Sequence, residues 1–508
     1  MKKLIALVII LFLFLHTHAQ NKSAYTWIIG GEGMFAKFSG DTTRPITGQR
    51  FNMGSPLYPY IFLNSQSQIC DSATGVLLFM CNGMRIYDTS GLIMENGDSL
   101  QPDKIYSSGT YPARPNTNGS LILPKGSSGL YNVFTPTITD SNFTTYATST
   151  IKFPYDLLQY HIVDMNANGG MGKVVQKNIE LLAHKEINQT GMMACRHANG
   201  VDWWLLKQAL DTNIVYTFLV TADTVELKLT QGFSFPKFGF YDLAGQSCFS
   251  SNGSKYAFAS GGAGLQNTGA HIFISDFERC TGVLSNPKEL TPPYDSTLTL
   301  IDTLFAPAKD SLISGLAFSA NDSFLYVARR FNIYQYDLYE PDSSLVWYHV
   351  QYGPDTTFSQ FVEYGQLQRG VDNRIYIGKW GGASYTPNSV IDYPNKKGAA
   401  CGFCRHCLRC IGCPSSMSSP PTVPEFNLGK LEPCWPLAMN DLVKEQDREL
   451  EIYPNPAYAK VHIKYTLKVH EKAMLEVYTS VGQVVFNSEI TFSNSSNFEI
   501  DISKFSRV

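Results

Sequence analysis

A short unit that recurs along most of the chain is the feature that most restricts its fold. The clearest copy spans residues 246–282, QSCFSSNGSKYAFASGGAGLQNTGAHIFISDFERCTG. It contains a polar turn around Asn252 and Gly253, a short apolar strand, a Gly-rich crossing and a second strand that ends in Asp276. Asn-Gly before an apolar run predicts a tight turn, because both residues tolerate a positive φ. The unit is therefore predicted to be a small antiparallel meander.

Further copies share a turn that holds Asn or Asp with Gly or Ser, followed by an aromatic-aliphatic strand, and several of these strands end in Asp. They lie at residues 70–94, 119–165, 196–221, 315–337 and 365–393. Six or seven WD40-like units, spaced by roughly 40–60 residues, are typical of propeller blades, which are radial four-stranded sheets. We predict an all-β protein with a β-propeller of about seven blades, and two successive sandwiches are the alternative. Helical periodicity is nearly absent, and residues 177–186 are the one stretch that suggests a helix.

The amino-terminal residues predict export. Lys2 and Lys3 precede an apolar run at residues 4–15, and Thr17 and Ala19 are small residues at the two positions that signal peptidase recognises. The run is too short for a comfortable membrane span, so residues 1–20 are predicted to be a signal peptide and a membrane anchor is the alternative. No later stretch suggests a membrane span. We expect a protein that is secreted or held at the outer-membrane surface.

Composition and charge agree with an exported β-rich protein. The chain of 508 residues is 44% hydrophobic but only 16% charged, and its net charge of −3 gives no reason to expect nucleic acid or an anionic membrane as a partner. Its 11 cysteines suit an oxidising compartment, and their odd number leaves at least one unpaired within a monomer.

The carboxyl-terminal part differs from the repeats. Residues 21–435 are predicted to form the propeller-like domain, residues 436–449 a charged linker and residues 450–508 a separate module. In this module polar and apolar residues alternate along short strands, so one face of each strand is buried. We predict a small β-sandwich module.

A Tyr-Pro-Asn-Pro opening and a later Gly-centred turn characterise residues 450–508, and they are formed by Tyr453, Pro454, Asn455, Pro456 and Gly482. With these residues the segment resembles the type A sorting domain of the type IX secretion system of Bacteroidetes. This resemblance implies that the secretion machinery recognises the module at the outer membrane. Family members continue with a Gly-x-Tyr strand and a basic strand, so we expect the module to be incomplete, with an open sheet edge.

The preceding part resembles secreted Bacteroidetes proteins of the propeller type. The matching segments are Trp27-Ile28-Ile29-Gly30, Asp71-Ser72-Ala73-Thr74-Gly75, Asn82-Gly83, residues 160–165, residues 196–200 with Trp203-Trp204, and residues 365–368. This resemblance implies a propeller and says little about the ligand.

A dense group of potential metal ligands lies at residues 401–414. Its members are Cys401, Cys404, His406, Cys407, Cys410 and Cys413. Thiolates and imidazole suit a structural zinc, and the three-residue spacing also resembles part of an iron–sulfur motif. The oxidising compartment favours disulfides that cross-link a loop, to which Cys434 is close enough in sequence to contribute. No other cofactor is expected.

Two further groups have structural interpretations that outweigh the functional ones. Residues 164–169 match the start of a calcium loop, but Val175 replaces the bidentate Glu at the twelfth position, so a turn is expected. Arg196 and His197 precede Trp203 and Trp204, and we expect the indoles to pack between blades rather than to accompany an acid–base site.

The functional prediction is a binding or adhesion protein whose ligand is a glycan or a protein. The sequence contains no HExxH, G-x-S-x-G, Walker or GxGxxG motif. The alternative is a hydrolase or lyase that acts on polysaccharide or protein. Convergent carboxylates or a His–Tyr–Arg cluster at the channel mouth would favour the enzyme. The loop at residues 261–269, which other copies lack, is where a contact with the ligand is first expected.

Overall fold

The computed structural model divides the chain into two compact units, Met1–Cys434 and Trp435–Val508. The structure describes residues 20–29, 34–38, 46–50, 64–100, 116–126, 128–146, 155–210, 212–233, 245–260, 271–293, 313–329, 331–351, 363–380, 388–408, 419–431, 434, 449–453, 460–466, 472–478, 484–491 and 496–504.

The first unit begins with two antiparallel sheets of three strands each. The strands of the first sheet are β1 (Thr26–Ile29), β2 (Met34–Lys37) and β3 (Ile46–Arg50). The strands of the second sheet are β4 (Ser67–Cys70), β5 (Leu77–Cys81) and β6 (Ile86–Tyr87).

Five antiparallel sheets of four strands follow, and in each sheet the strands are neighbours in chain order. The first two sheets contain β7 (Leu121–Pro124), β8 (Leu130–Thr137), β9 (Tyr155–Asp164) and β10 (Lys173–Ile187), then β11 (Met193–Arg196), β12 (Trp203–Gln208), β13 (Ile214–Val220) and β14 (Val225–Gly232). The next two contain β15 (Ser247–Phe249), β16 (Lys255–Ser260), β17 (His271–Phe277) and β18 (Leu284–Leu290), then β19 (Ile313–Phe318), β20 (Phe324–Arg329), β21 (Asn332–Asp337) and β22 (Trp347–Gln351). The last contains β23 (Glu363–Arg369), β24 (Ile375–Trp380), β25 (Asn388–Ile391) and β26 (Phe403–Leu408).

Six propeller blades are present in the described part of the chain, and we number them from one (β4–β6) to six (β23–β26). The prediction of an all-β propeller is confirmed. The predicted count of about seven blades is not confirmed, since the remaining sheet, β1–β3, lies outside this set. The sheet still contacts two blades, because Trp27 packs edge-on against Tyr376 of blade six at 5.4 Å and the Ile28 backbone N–H donates to Gln68 of blade one at 2.8 Å.

Burial within a blade explains the sequence pattern of its strands. In blade three all six residues of β12, WWLLKQ, are buried, whereas the outermost strand β14 has no buried residue and is half-buried or exposed along its length. A strand covered on both faces by neighbouring blades has no need of alternation, so it is a continuous apolar run.

Helix is scarce among the described residues. Residues 177–186, the stretch that suggested a helix, belong to the long strand β10, whose pairing with β9 is interrupted by several bulges. A short helix, α1 (Asp140–Tyr146), was not predicted; it starts after Thr139, whose hydroxyl accepts from the Asn142 backbone N–H at 3.2 Å. Single 3-10 turns occupy Asn168–Gly170, Gly398–Cys401 and Ile502–Lys504. No helix among the described residues is long and apolar enough to span a membrane.

The second unit contains a three-stranded sheet and a two-stranded sheet, both antiparallel. Their strands are β27 (Glu449–Tyr453), β28 (Lys460–Thr466), β29 (Lys472–Tyr478), β30 (Val484–Thr491) and β31 (Ser496–Asp501), with the order β27-β28-β31 in the first sheet and β29-β30 in the second. Ile463 of β28 and Ile500 of β31 are buried. The strands are confirmed, but their arrangement as a sandwich is not.

Candidate functional site

A segment that we call the strap, residues 419–431, follows the last blade and crosses one face of the propeller. It starts at blade one, where Thr422 forms a parallel bridge with Ser67 of β4 and its backbone N–H donates to Gln66 at 2.8 Å. At its other end Leu431 donates to the Ala198 carbonyl at 2.8 Å, in the turn between β11 and β12. The strap therefore runs from the start of β4 in blade one to the turn between β11 and β12 in blade three.

Aromatic and cationic side chains hold the strap in place along this path. Phe426 packs edge-on against Trp203 with ring centroids 5.5 Å apart, and the Arg279 guanidinium donates to the Gly429 carbonyl at 2.7 Å. Just beyond the strap, Cys434 forms a disulfide with Cys280 in blade four. The strap is thus fixed at both ends and in the middle.

Buried amides join the blades across the centre of the propeller. Gln246 of blade four donates to the Leu367 carbonyl of blade six at 2.6 Å and accepts from the Leu316 and Leu367 N–H groups at 3.0 Å. Asn118 of blade two accepts from the Ser247 N–H at 2.9 Å and donates to the hydroxyl of Thr422 in the strap at 3.3 Å. These hydrogen bonds connect the innermost strands at one level of the central channel.

The innermost strands of blades five and six approach each other closely at a glycine. A Cβ atom on Gly315 of β19 would lie 2.3 Å from the Gly365 carbonyl oxygen of β23, which no real side chain tolerates. Glycine here allows the two innermost strands to approach each other directly.

A cavity of about 950 Å³ lies between the strap and the innermost strands of blades three to six. Apolar side chains form much of its wall, among them Phe249, Leu316, Phe318, Phe426 and Leu428. Asn21, Ser251, Asn373 and Asn427 add polar groups, and the Asn21 backbone N–H donates to Asn427 at 2.9 Å. The lining therefore combines apolar side chains with a comparable share of polar surface.

One ion pair crosses the cavity between blade and strap. The Arg369 Nη2 atom at the end of β23 donates to Glu425 Oε2 at 2.8 Å, and the two side chains are 14% and 28% exposed. Glu425 also accepts from the Asn427 backbone N–H at 2.9 Å through its other oxygen. This carboxylate is therefore held in place by its own chain and fixes the direction of the guanidinium.

Cys248 also lines the cavity, on β15. Burial raises the pKa of its thiol far above the ordinary value, and the nearby Arg369 charge opposes this effect only in part. The group therefore remains a thiol at neutral pH, whereas a nucleophilic cysteine requires a thiolate.

The structure divides the cysteine cluster into different environments. Cys404 and Cys407 form a disulfide within β26, so this bond does not cross-link a long loop. Cys401 is a buried thiol that forms no disulfide, and the neighbouring His406 is also buried. Cys434, which we expected near this cluster, is bonded instead to Cys280, because the strap carries it across to blade four.

The metal hypothesis for this cluster stays a prediction. Cys410 and Cys413 lie outside the described residues. Within the part of the chain that the structure describes, no group of three or more His, Cys, Asp or Glu side chains is placed to hold a metal ion.

The residues 164–169 form a turn, as predicted. β9 ends at Asp164, a 3-10 turn spans Asn168–Gly170, and β10 begins at Lys173. Asp164 accepts from the Asn166 backbone N–H at 2.9 Å, which is how an Asx side chain stabilises a turn.

The Arg196–Trp204 group packs between blades, as predicted. The Arg196 guanidinium carbon lies 4.5 Å from the centre of the Trp203 ring. The Trp204 indole N–H donates to the Arg279 carbonyl of blade four at 2.8 Å, and His197 Nε2 lies 3.0 Å from the Cys280 carbonyl oxygen. The Trp204 and His197 contacts therefore join blade three to blade four.

Comparison with known proteins concerns the second unit most directly. Residues 451–507 match the family of the secretion system C-terminal sorting domain. This segment is a type IX sorting domain. The protein is therefore an exported propeller with a C-terminal sorting domain, and this domain implies contact with the secretion machinery.

Within the sorting domain, Tyr453 is the last residue of β27 and pairs with His462 of β28. Pro454, Asn455, Pro456 and Gly482 of the predicted motif lie outside the described residues, and so do residues 1–19 of the predicted signal peptide and the loop at 261–269.

Several solved structures are similar to the chain at a low level. They include a hypothetical selenium-binding protein from Sulfolobus tokodaii (10% identity, TM-score 0.39, 72% of this chain and 84% of that chain) and hydrazine synthase from Kuenenia stuttgartiensis (9%, 0.35, 72% and 96%). The propeller domain of Cps50 (Swd1) from Myceliophteria thermophila is a third (11%, 0.27, 72% and 88%). No curated protein matches the chain. None of these similarities carries an argument about function.

Sequence reasoning missed the strap and therefore the cavity. The signal available was the proline spacing in SPPTVPEF, since Pro420, Pro421 and Pro424 lack N–H groups and favour an extended chain over a blade strand. Arg369 carried no such signal, because nothing in the sequence of β23 shows which of its side chains meets the strap.

Proposed function

We propose that the exported propeller is a non-enzymatic binding or adhesion protein that holds an extracellular ligand, a glycan or a protein segment, in the cavity under the strap. The observation that supports this proposal is the cavity itself, whose volume of about 950 Å³ lies within the roughly 300–1,000 Å³ of ligand pockets. Its walls come from four blades and the strap, so its shape is fixed by inter-blade packing and by the disulfide at Cys434.

The lining favours binding over the hydrolase or lyase alternative. Among the described residues that line the cavity, Glu425 is the one carboxylate, it is paired with Arg369, and no histidine or tyrosine is present. Most glycoside hydrolases use a pair of carboxylic side chains, and Glu425 has no carboxylate partner among the described lining residues. Binding of a ligand needs only hydrogen-bonding and apolar side chains, and both kinds line the cavity.

The route of export completes the proposal. The sorting domain supports secretion or display at the cell surface, and the basic and apolar start of the chain supports a signal peptide at residues 1–20. We place the protein in Bacteroidetes on the sorting-motif resemblance. The contacts of β1–β3 with blades one and six support its role as a seventh blade. A sandwich arrangement of the two C-terminal sheets is proposed from strand alternation.

The binding proposal is tested with the full exported protein, labelled and applied to a glycan array and a peptide library. Ala320 lines the cavity in the turn between β19 and β20, so Ala320→Trp fills part of the cavity from the blade wall. Ala73→Trp is the matched control, because Ala73 is exposed in the corresponding turn of blade one and does not line the cavity.

We expect at least one glycan or peptide class to bind, to lose tenfold or more in affinity with Ala320→Trp and to bind Ala73→Trp like the parent. Absence of any ligand, or equal binding by the parent and Ala320→Trp, contradicts the proposal.

A further inference from the structure

We propose that the ligand of this cavity presents a carboxylate next to an apolar group, and that Arg369 binds the carboxylate. The inference depends on the proposed function, because it names the chemistry of the ligand held in the same cavity. It is carried by the unused hydrogen-bonding capacity of Arg369, by the balance of charge on the lining and by the aromatic wall around it.

The formal charges of the cavity lining bear on the charge of the ligand. Three of the lining residues carry a formal charge, Arg369 and Lys430 with a positive charge and Glu425 with a negative one, so the cavity carries a net charge of +1. Two acidic side chains close in sequence to lining residues are engaged with other groups. Asp372 pairs with Arg374 at 3.0 Å, and Asp322 accepts a hydrogen bond from the Ser251 hydroxyl at 2.9 Å.

The guanidinium of Arg369 has room for a second carboxylate. It engages Glu425 through Nη2 alone, and among the described residues Nε and Nη1 have no partner. A guanidinium presents two edges, each with a pair of parallel N–H groups, and a single bond at Nη2 leaves one edge open. Carboxylates bind such an edge with two hydrogen bonds, which Lys cannot reproduce.

Burial makes this open edge important. The Arg369 side chain is 14% exposed, and its open N–H groups gain more from a charged acceptor than from a neutral one. Glu425 keeps the guanidinium from rotating, because the carboxylate is itself fixed by the Asn427 N–H. The site is therefore preorganised for the carboxylate before the ligand arrives.

The rest of the lining specifies the other part of the ligand. Phe249, Leu316 and Phe318 of the blades line the cavity, and Val423 and Leu428 of the strap also line it. A hydrophilic sugar acid would leave this surface uncovered, whereas an aromatic or aliphatic group next to the carboxylate covers it. The carboxyl-terminal residue of a peptide and a free aromatic acid both have this chemistry.

The test compares matched acids and amides by titration calorimetry of the full exported protein. N-acetyl-L-phenylalanine represents a peptide carboxyl terminus and 3-phenylpropionate a free aromatic acid. The amide of each removes the charge and keeps the shape, and galacturonate carries a carboxylate without the apolar group. We expect both acids to bind at least tenfold more tightly than their amides, and galacturonate to bind more weakly than either. The acid that binds more tightly shows whether the cavity takes a peptide carboxyl terminus or a free aromatic acid.

Variants separate Arg369 from the other charges. Arg369→Met should reduce the acid-to-amide ratio to about one, and the double variant R369M/E425Q should do the same without an unpaired carboxylate. With Arg369→Lys the acid-to-amide ratio should be less than a third of the parent's ratio, because Lys cannot form two parallel hydrogen bonds to a carboxylate. Lys185→Met is the matched control and should change the ratio less than threefold, because Lys185 is exposed on β10 and does not line the cavity.

Three results overturn the inference. The first is equal binding of acid and amide, which leaves cavity binding intact if Ala320→Trp weakens both. The second is galacturonate binding as tight as that of the aromatic acids. The third is no binding of any of these probes. In that case the glycan array and the peptide library still decide the proposed function independently.

Discussion

Removal of the Cys280–Cys434 disulfide should strongly destabilise the propeller. The bond closes a loop of 154 residues that includes the end of blade four, blades five and six, and the strap. In the chain-entropy treatment such a loop restricts the unfolded chain by about 5 kcal/mol at 25 °C. Cys280→Ser should therefore lower the free energy of unfolding by several kcal/mol.

The assay is urea unfolding of the exported protein, followed by tryptophan fluorescence. Cys434→Ser and the double variant should give the same loss as Cys280→Ser, because all three remove one bond. Cys404→Ser is the matched control: its bond spans a sequence separation of 3, and the same treatment predicts a loss under about 2 kcal/mol.

The reasoning is refuted if Cys280→Ser unfolds within about 1 kcal/mol of the parent, or if its loss does not exceed that of Cys404→Ser. Either result would mean that the Cys280–Cys434 disulfide does not restrict the unfolded chain as calculated. Reduction of the parent protein should reproduce the loss in Cys280→Ser, apart from the small contribution of the second disulfide.

Two further predictions concern the packing of blade three. Gly282→Ala should lower the free energy of unfolding by about 1–3 kcal/mol, since Gly282 has φ +75 and a Cβ there would lie 2.9 Å from the Trp204 ring. Gly232 has open space around it, so Gly232→Ala should change this free energy by no more than about 0.5 kcal/mol in urea unfolding. Equal losses in the two variants would contradict the prediction. Lys207 is buried with its ammonium donating to the Thr190 carbonyl at 2.6 Å, and burial lowers its pKa from 10.5 to about 7. At pH values between these two pKa values the unfolded chain binds up to one more proton than the folded chain. The free energy of unfolding should therefore rise with pH over this range, by up to about 1.4 kcal/mol per pH unit. The stabilising effect of Lys207→Met should be largest below pH 7 and shrink towards pH 10, and an effect that does not depend on pH would contradict the assignment.

The local units of the fold could be predicted from the sequence because their signals are local. The turn around Asn252 and Gly253 lies between β15 and β16, and Gly253 has φ +73, as an Asn-Gly turn requires. The buried run of β12 and the indole packing of Trp203 and Trp204 follow from strands that are covered on both faces. Each of these predictions needed only the residues of one blade.

The site could not be predicted, because it depends on contacts between distant parts of the chain. Arg369 meets Glu425 across 56 residues, and Gln246 reaches Leu367 across 121. The predicted partner of the cysteine cluster, Cys434, bonds to Cys280 at a separation of 154 residues for the same reason. Sequence spacing carries no information on which blade a crossing segment reaches.

The C-terminal module could be recognised because its motif is compact in sequence. Tyr453, Pro454, Asn455 and Pro456 lie together, and they fall at the start of the segment that matches the sorting family. The ligand of the propeller has no comparable signature, since blades of similar sequence can present different side chains to the same central cavity.

The most direct test of the account is the location of the protein with and without residues 450–508. The full chain and the truncated chain are expressed in the native host and quantified in the periplasm, at the cell surface and in the medium. We expect the full chain outside the outer membrane, and the truncated chain retained in the periplasm as a folded propeller with the Cys280–Cys434 disulfide formed. Equal amounts of the two chains outside the cell would contradict the claim that the C-terminal domain directs export of the propeller.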